Sequence, residues 1–198
     1  MSAQFWDERY GQEEYAYGRE PNDFVREQAH RIPKGRVLCL GEGEGRNAVY
    51  LASLGHDVTA VDFSEKGLAK GAALARERGV KVSFVHADLA HYEIEPGAYA
   101  GIVATFAHLP PDLRARVHAQ AARGLAPGGC FVLEAYTPAQ LAYGKGGPRD
   151  VKLLMTLEDL KRELSPLRLE IAQEITRQIN EGPFHGGTSA VVQIVAVA

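Results

Sequence analysis

Cysteine is scarce in this chain of 198 residues: Cys39 and Cys130 are the only two, and each lies inside an apolar run, RVLCL and CFVLEAY. That placement argues against a disulfide scaffold and predicts two buried, reduced thiols. An excess of basic charge is lacking too. With 22 Lys and Arg against 25 Asp and Glu the formal charge is −3, which argues against the net positive field that nucleic acids or anionic membranes require. Arg114, Arg116 and Arg123 recur at helical spacing among alanines and are expected on a solvated face. The opening residues, MSAQFWDERYGQEEYAYG, have neither a basic start nor an apolar stretch as long as a signal peptide or membrane span needs. Neither export nor anchoring is therefore expected, and the cytoplasm is the expected compartment. There are no repeats or low-complexity tracts, and no metal site is expected.

What is present suits one α/β core. At 45% hydrophobic and 24% charged residues, the chain is long enough to bury a full sheet and too short for two enzyme-sized domains. A single domain over 1–198 is expected, with an N-terminal helical cap over 1–34 and the core over 35–198. From Arg36 onward, short apolar runs alternate with alanine-rich helical runs, the pattern of a parallel sheet covered on both faces. RVLCL, DVTAVD, KVSFVHAD, AYAGIVATF and CFVLEAY read as five strands. Between them lie a helix ended by Gly55, one capped by Ser64 and stopped by Gly79, and one opened by Pro110 and Pro111. Pro127, Gly128 and Gly129 predict a turn, the stretch between Tyr136 and Asp150 a mobile surface loop, and Thr156 with Asp159 a capping box. The tail, LRLEIAQEITRQIN, then EGPFHGGT, then SAVVQIVAVA, reads as a hairpin whose second strand is apolar enough to lie inside the sheet.

The segment VLCLGEGEGRNA sets Gly41, Gly43 and Gly45 between a strand and a helix, where the chain turns sharply and a ligand can approach the backbone. GEGRNA also fits the G-x-G-x-x-A dinucleotide fingerprint, so a nicotinamide-dependent oxidoreductase is an alternative. Glu42 and Glu44 flank the central glycine; their charge opposes a pyrophosphate and suits an ammonium or a sulfonium. Asp62 ends the second strand, where a carboxylate can accept both hydroxyls of a ribose. Asp88 follows the third, where it either accepts from an adenine amino group, with Leu89 offering its N–H to the ring, or caps a turn.

The runs LCLGEGEGR, AVDFS, HADL and LAPGGCFVLEAY, in that order and spacing, resemble the class I S-adenosylmethionine (SAM)-dependent methyltransferases over essentially the whole chain. FWDERY with YAYGREPNDF, then FAHLP and EGPFHGG, resemble the small tellurite-resistance (TehB-like) branch, akin to thiopurine methyltransferases. The resemblance implies a Rossmann-like, seven-stranded, mostly parallel sheet with helices on both faces, a C-terminal antiparallel hairpin, and the N-terminal segment as a cap. It implies SAM as cofactor over the strand ends. Gly41 to Gly45, with Glu42 and Gly43 among them, would line its methionine part, Asp62 would hold its ribose, and Asp88 with Leu89 its adenine, with Asn47, Phe63 and Ser64 also in the cofactor site. Tyr17, Thr105 and Phe106 complete the expected cofactor site.

Methyl transfer is a displacement on an already activated sulfonium, so alignment and exclusion of water supply most of the acceleration. The expected acceptor is a small nucleophile, a thiol or a chalcogen oxyanion such as tellurite, and the expected state is monomer or homodimer. His108 in TFAHLPP and His185 in GPFHGG are the candidates to orient the acceptor or take its proton. Each also has a plain reading, His108 as a partner of loop carbonyls and His185 as a solvated loop residue. Aromatics crowd the first seventeen residues. Trp6 and Tyr10 there, with Arg9 for an anionic group, and Tyr136 and Tyr143 around the later loop form the expected acceptor pocket. Besides the oxidoreductase, a non-catalytic SAM-binding protein is the third possibility.

Overall fold

The computed structural model describes residues 3–198; the first two residues of the expected cap lie outside it. The core is a seven-stranded sheet formed by β1 (Arg36–Leu40), β2 (Asp57–Asp62), β3 (Ser83–His86), β4 (Tyr99–Thr105), β5 (Leu125–Tyr136), β6 (Arg168–Glu181) and β7 (His185–Val197). Its order is β3-β2-β1-β4-β5-β7-β6. The first five strands run parallel, and β7 is antiparallel to both of its neighbours. The order reverses beside β1, so the crevice above the carboxyl ends of β1 and β4 is the switch point at which open α/β sheets bind ligands.

Helices α1 (Ala3–Tyr10), α2 (Asp23–Gln28), α3 (Arg46–Ser53), α4 (Glu65–Glu77), α5 (Pro111–Gly124) and α6 (Leu157–Glu163) flank the sheet. Alternation along each strand divides the core in two. Leu38, Leu40, Ile102, Phe131 and Leu133 face Val117 and Ala121 of α5 and Leu160 of α6. Val37, Cys39, Val103 and Val132 face Phe24 and Val25 of α2 and Ala48 and Leu51 of α3. Each such side chain, fully buried, contributes roughly 1.5–3 kcal/mol. Both cysteines are buried and unpaired.

Several local expectations shift for identifiable reasons. The third strand pairs only over Ser83–His86, because as the edge strand it has a single partner, β2. The turn at Pro127 to Gly129 is absorbed into β5. Tyr99 pairs with Leu125 and Gly101 with Cys130, so the intervening residues bulge, with Gly128 at φ 78°. The stretch after Tyr136 folds into 3-10 turns over Pro138–Tyr143 and Val151–Leu153. Arg114 is not on a solvated face. It is 3% exposed and grips Glu163 of α6 through Nε and Nη2, while Arg116 donates to the carbonyls of Leu89 and Ala90. Helical spacing among alanines fixes the face but not what packs on it.

Candidate active site

The glycine turn after β1 is built from left-handed backbone: Gly41, Gly43 and Gly45 have φ of 60°, 61° and 82°. A Cβ on Gly45 would lie 2.8 Å from the Cα of Gly71 in α4, so this glycine is also the point at which α3 and α4 meet. Asp62 anchors the turn from the neighbouring strand, accepting from the N–H of Gly43 at 2.9 Å and that of Ser64 at 2.8 Å. Burial pushes its carboxyl up against those bonds. Glu42 reaches over the start of α3, where one carboxylate oxygen accepts from the N–H of Asn47 and of Ala48, both at 2.8 Å. Burial drives its pKa up to about 7. Glu44 is held by Lys70 at 2.8 Å and accepts from the N–H of Tyr17 at 3.3 Å.

A cavity of about 260 Å³ opens above this turn, lined among others by Tyr17, Gly41, Glu42, Glu44, Arg46, Asn47, Asp62, Phe63, Asp88, Leu89, Thr105 and Phe106. Asp88 caps a turn, one oxygen accepting from the N–H of Ala90 at 2.8 Å, and the residue also lines the cavity. Asn47 donates to Thr105 at 2.9 Å and ties α3 to the end of β4. Gly43, Gly45 and Ser64 stand behind the wall. The first accepts Tyr10 against its Cα, the second packs on Gly71, and Ser64 caps α4 by accepting from the N–H of Gly67 at 3.1 Å.

A second cavity, of about 470 Å³, adjoins the first and shares Trp6, Tyr17, Phe106, His108 and His185 with it. Phe5, Arg9, Tyr136, Arg149 and Phe184 belong to this side. Tyr10 lies in the first cavity's wall, stacked on Trp6. Tyr143 is 40% exposed and borders neither cavity. Phe106, at φ 52° the only non-glycine residue with positive φ among those described, turns its ring to within 4.6 Å of Tyr136 and 4.4 Å of His185, centroid to centroid. Such backbone strain is held only where the surroundings over-determine it.

The two histidines differ sharply. Both nitrogens of His108 are engaged: Nδ1 bonds to the carbonyl of Leu153 at 2.8 Å, and Nε2 accepts from the N–H of Tyr136 at 3.4 Å. Burial lowers its pKa to about 4, so it stays neutral with no lone pair to spare. His185 sits at the turn into β7, its ring tilted at 48° against that of Tyr17 with centroids 4.2 Å apart, and is buried rather than solvated. Its Nδ1 has no hydrogen-bond partner, standing 3.9 Å from Glu181. Burial lowers its pKa, leaving a neutral imidazole.

Below the cavities runs a buried polar network that the sequence reading missed. Arg177 forks onto Glu134 at 2.9 and 2.7 Å and reaches Glu181 at 2.9 Å; Asn22 bridges Glu134 and Glu181; Gln193 donates to Glu134 at 2.7 Å. Arg46 completes it, giving Nη2 to Glu181 at 2.6 Å while its Nη1, buried at the cavity wall, has no partner. Signals were present. Glu134 and Gln193 interrupt apolar strands, and Arg46 places a cation in the first turn of a helix, where the dipole disfavours it.

The comparisons with known proteins fit this geometry. A family model for a methyltransferase domain matches residues 37–129, from β1 into the bulge of β5. The chain is 28% identical, over 143 residues, to 2-heptyl-1-hydroxyquinolin-4(1H)-one methyltransferase of Mycobacteroides abscessus. That alignment spans 68% of this chain and 63%, under two thirds, of the relative. The structure is similar to that of TehB from Haemophilus influenzae, with a TM-score of 0.73 and 20% identity over 98% of this chain and 66% of that one. It is also similar to a SAM-dependent methyltransferase from Methanosarcina mazei, with a TM-score of 0.69 and 17% identity over 90% and 98% of the two chains. Sheet order, reversed last strand and glycine turn define the class I methyltransferase fold. The chain has the fold of the SAM-dependent class I methyltransferases, whose cofactor is SAM, and it is similar to a methyltransferase domain over 37–129.

Proposed function

We propose that this chain transfers a methyl group from SAM to a small-molecule nucleophile. What carries the proposal is the junction of the two cavities, where the imidazole of His185 stands between an acid-lined chamber and an aromatic one. The donor set of the first chamber fits SAM. Glu42 and Glu44 suit its two cationic centres, the unpartnered Nη1 of Arg46 suits its carboxylate, and Asp62 and Asp88 keep lone pairs for the ribose hydroxyls and the adenine amine. A pyrophosphate would meet those same carboxylates. Bound SAM supplies a sulfonium whose S–CH3 bond breaks as the acceptor–CH3 bond forms, the electron pair staying on sulfur in S-adenosylhomocysteine.

The chain's own residues then have three tasks. Trp6, Tyr17 and Phe106 cover the junction and exclude water. His185 takes the proton of a neutral acceptor, or orients one that arrives ionised. Glu181, held well below the ordinary carboxylate range by His185, Arg46 and Arg177 although burial opposes it, fixes the floor on which His185 rests. The acceptor candidates are a thiol, a chalcogen oxyanion such as tellurite, and a ring oxygen like that named for the M. abscessus relative. The test is formation of S-adenosylhomocysteine from SAM with an acceptor panel covering these three classes. Turnover on any one supports transferase activity; SAM binding without turnover on all three would favour a non-catalytic binder, and NADH binding without SAM binding an oxidoreductase.

A further inference from the structure

We infer that the acceptor is a planar aromatic compound bearing a separate anionic group, such as a carboxylate, seated on Arg9; this rests on the methyl-transfer reading and deepens it. The larger cavity is walled by rings, those of Trp6, Tyr17, Phe106, Tyr136 and Phe184 among them. A bare inorganic oxyanion would leave these apolar walls uncovered, whereas a flat ring covers them. Within this apolar chamber stands Arg9. Its guanidinium lies 4.4 Å from the ring centroid of Phe184, donates to the Tyr17 hydroxyl at 3.0 Å, and forms no ion pair with any carboxylate among the described residues. Arg149 at the rim likewise has only the carbonyl of Gly144 as partner, against a single cavity carboxylate, Asp150. In a chain of net charge −3, cations left without acids around one cavity match an anionic ligand.

Tyr17 measures the distance. Its hydroxyl accepts from Arg9 and its ring lies against His185 with centroids 4.2 Å apart, so the guanidinium and the imidazole flank the same side chain. An aromatic acceptor seated beside Tyr17 can therefore offer an acid to Arg9 and a thiol or hydroxyl to His185. In the transfer, the heteroatom–H proton passes to the imidazole of His185, the heteroatom–CH3 bond forms, and the S–CH3 bond of SAM breaks with its electrons kept by sulfur.

The experiment compares 4-mercaptobenzoate with 4-methylbenzenethiol, its neutral-tailed counterpart, as ligands of the S-adenosylhomocysteine-bound protein by calorimetry and as acceptors with SAM. The acid should bind about ten- to a hundredfold more tightly, the span of one charge-assisted hydrogen-bonded pair. Arg9→Gln should bring the ratio near unity, and Arg9→Lys should keep part of it. S-adenosylhomocysteine affinity, measured first on each variant, reports that the fold is intact. Equal or weaker binding of the acid, a ratio unmoved in Arg9→Gln, or tellurite methylated in preference to either ring would overturn this inference and leave the transferase reading standing. Failure of S-adenosylhomocysteine to bind would instead strike the reading itself.

Discussion

At the residue scale, Glu42 is the most exacting feature of the site. Its carboxyl accepts two backbone N–H groups, yet burial still raises its pKa from 4.5 to about 7. Between those values the folded chain holds a proton that the unfolded chain has released. Its contribution to stability is therefore fully present below about 4.5 and is lost as pH rises through about 7. Unfolding free energies of wild type and Glu42→Gln should diverge across that window, with the variant gaining on the wild type as pH rises. A cationic ligand favours the ionised form, so SAM affinity should rise with pH between 6 and 8 in the wild type and lie flat in the variant. Parallel pH profiles would show that Glu42 does not titrate there. Much at this scale was legible in the sequence: the spacing GEGEG, the Asp62 strand end and the aromatic N-terminus all lead to cavity walls. His108 was only half legible, since a histidine after a strand end carries no sign of the Leu153 carbonyl that a 3-10 turn brings to it from 45 residues away.

At the scale of elements, the hairpin of β6 and β7 does more than complete the sheet. It delivers Arg177, Glu181 and His185 from one end, and β5 delivers Glu134 to the same floor. Glu134 is fully buried, and its removal strands Arg177 in a site where only Glu181 and the edge carboxylate of Asp23 remain. Glu134→Ala should therefore cost about 3–5 kcal/mol in urea unfolding, the range for breaking one side of a buried pair. A loss under 1 kcal/mol would mean that the network is a surface-like feature. Apolar periodicity announced the strands and their order of burial, because side-chain alternation is a local property. The polar interruptions at Glu134 and Gln193 marked the network's members but not their pairing, because Asn22 lies 112 and 159 residues from the two carboxylates it bridges and the rest meet only where β7 runs between β5 and β6.

At the scale of the whole molecule, the sheet reverses order at β1 and β4, and Glu42, Asp62, Asp88, Thr105 and His185 converge on that point. The five parallel strands provide the first chamber, while α1 and the final hairpin enclose the second. The architecture could be foreseen from strand-helix alternation and the apolar tail, but the shape of the second chamber depends on 3-10 turns and a left-handed Phe106 that no pattern marks. The central claim is that the first chamber holds SAM. Calorimetric titration of the protein with S-adenosylhomocysteine, alongside NADH and repeated with Asp62→Ala, addresses it directly. The account predicts one S-adenosylhomocysteine per chain, no NADH, and a loss of about 1.5–3 kcal/mol in the variant, as for a hydrogen bond to a charged group. Binding of NADH in place of S-adenosylhomocysteine, or of neither, would contradict it.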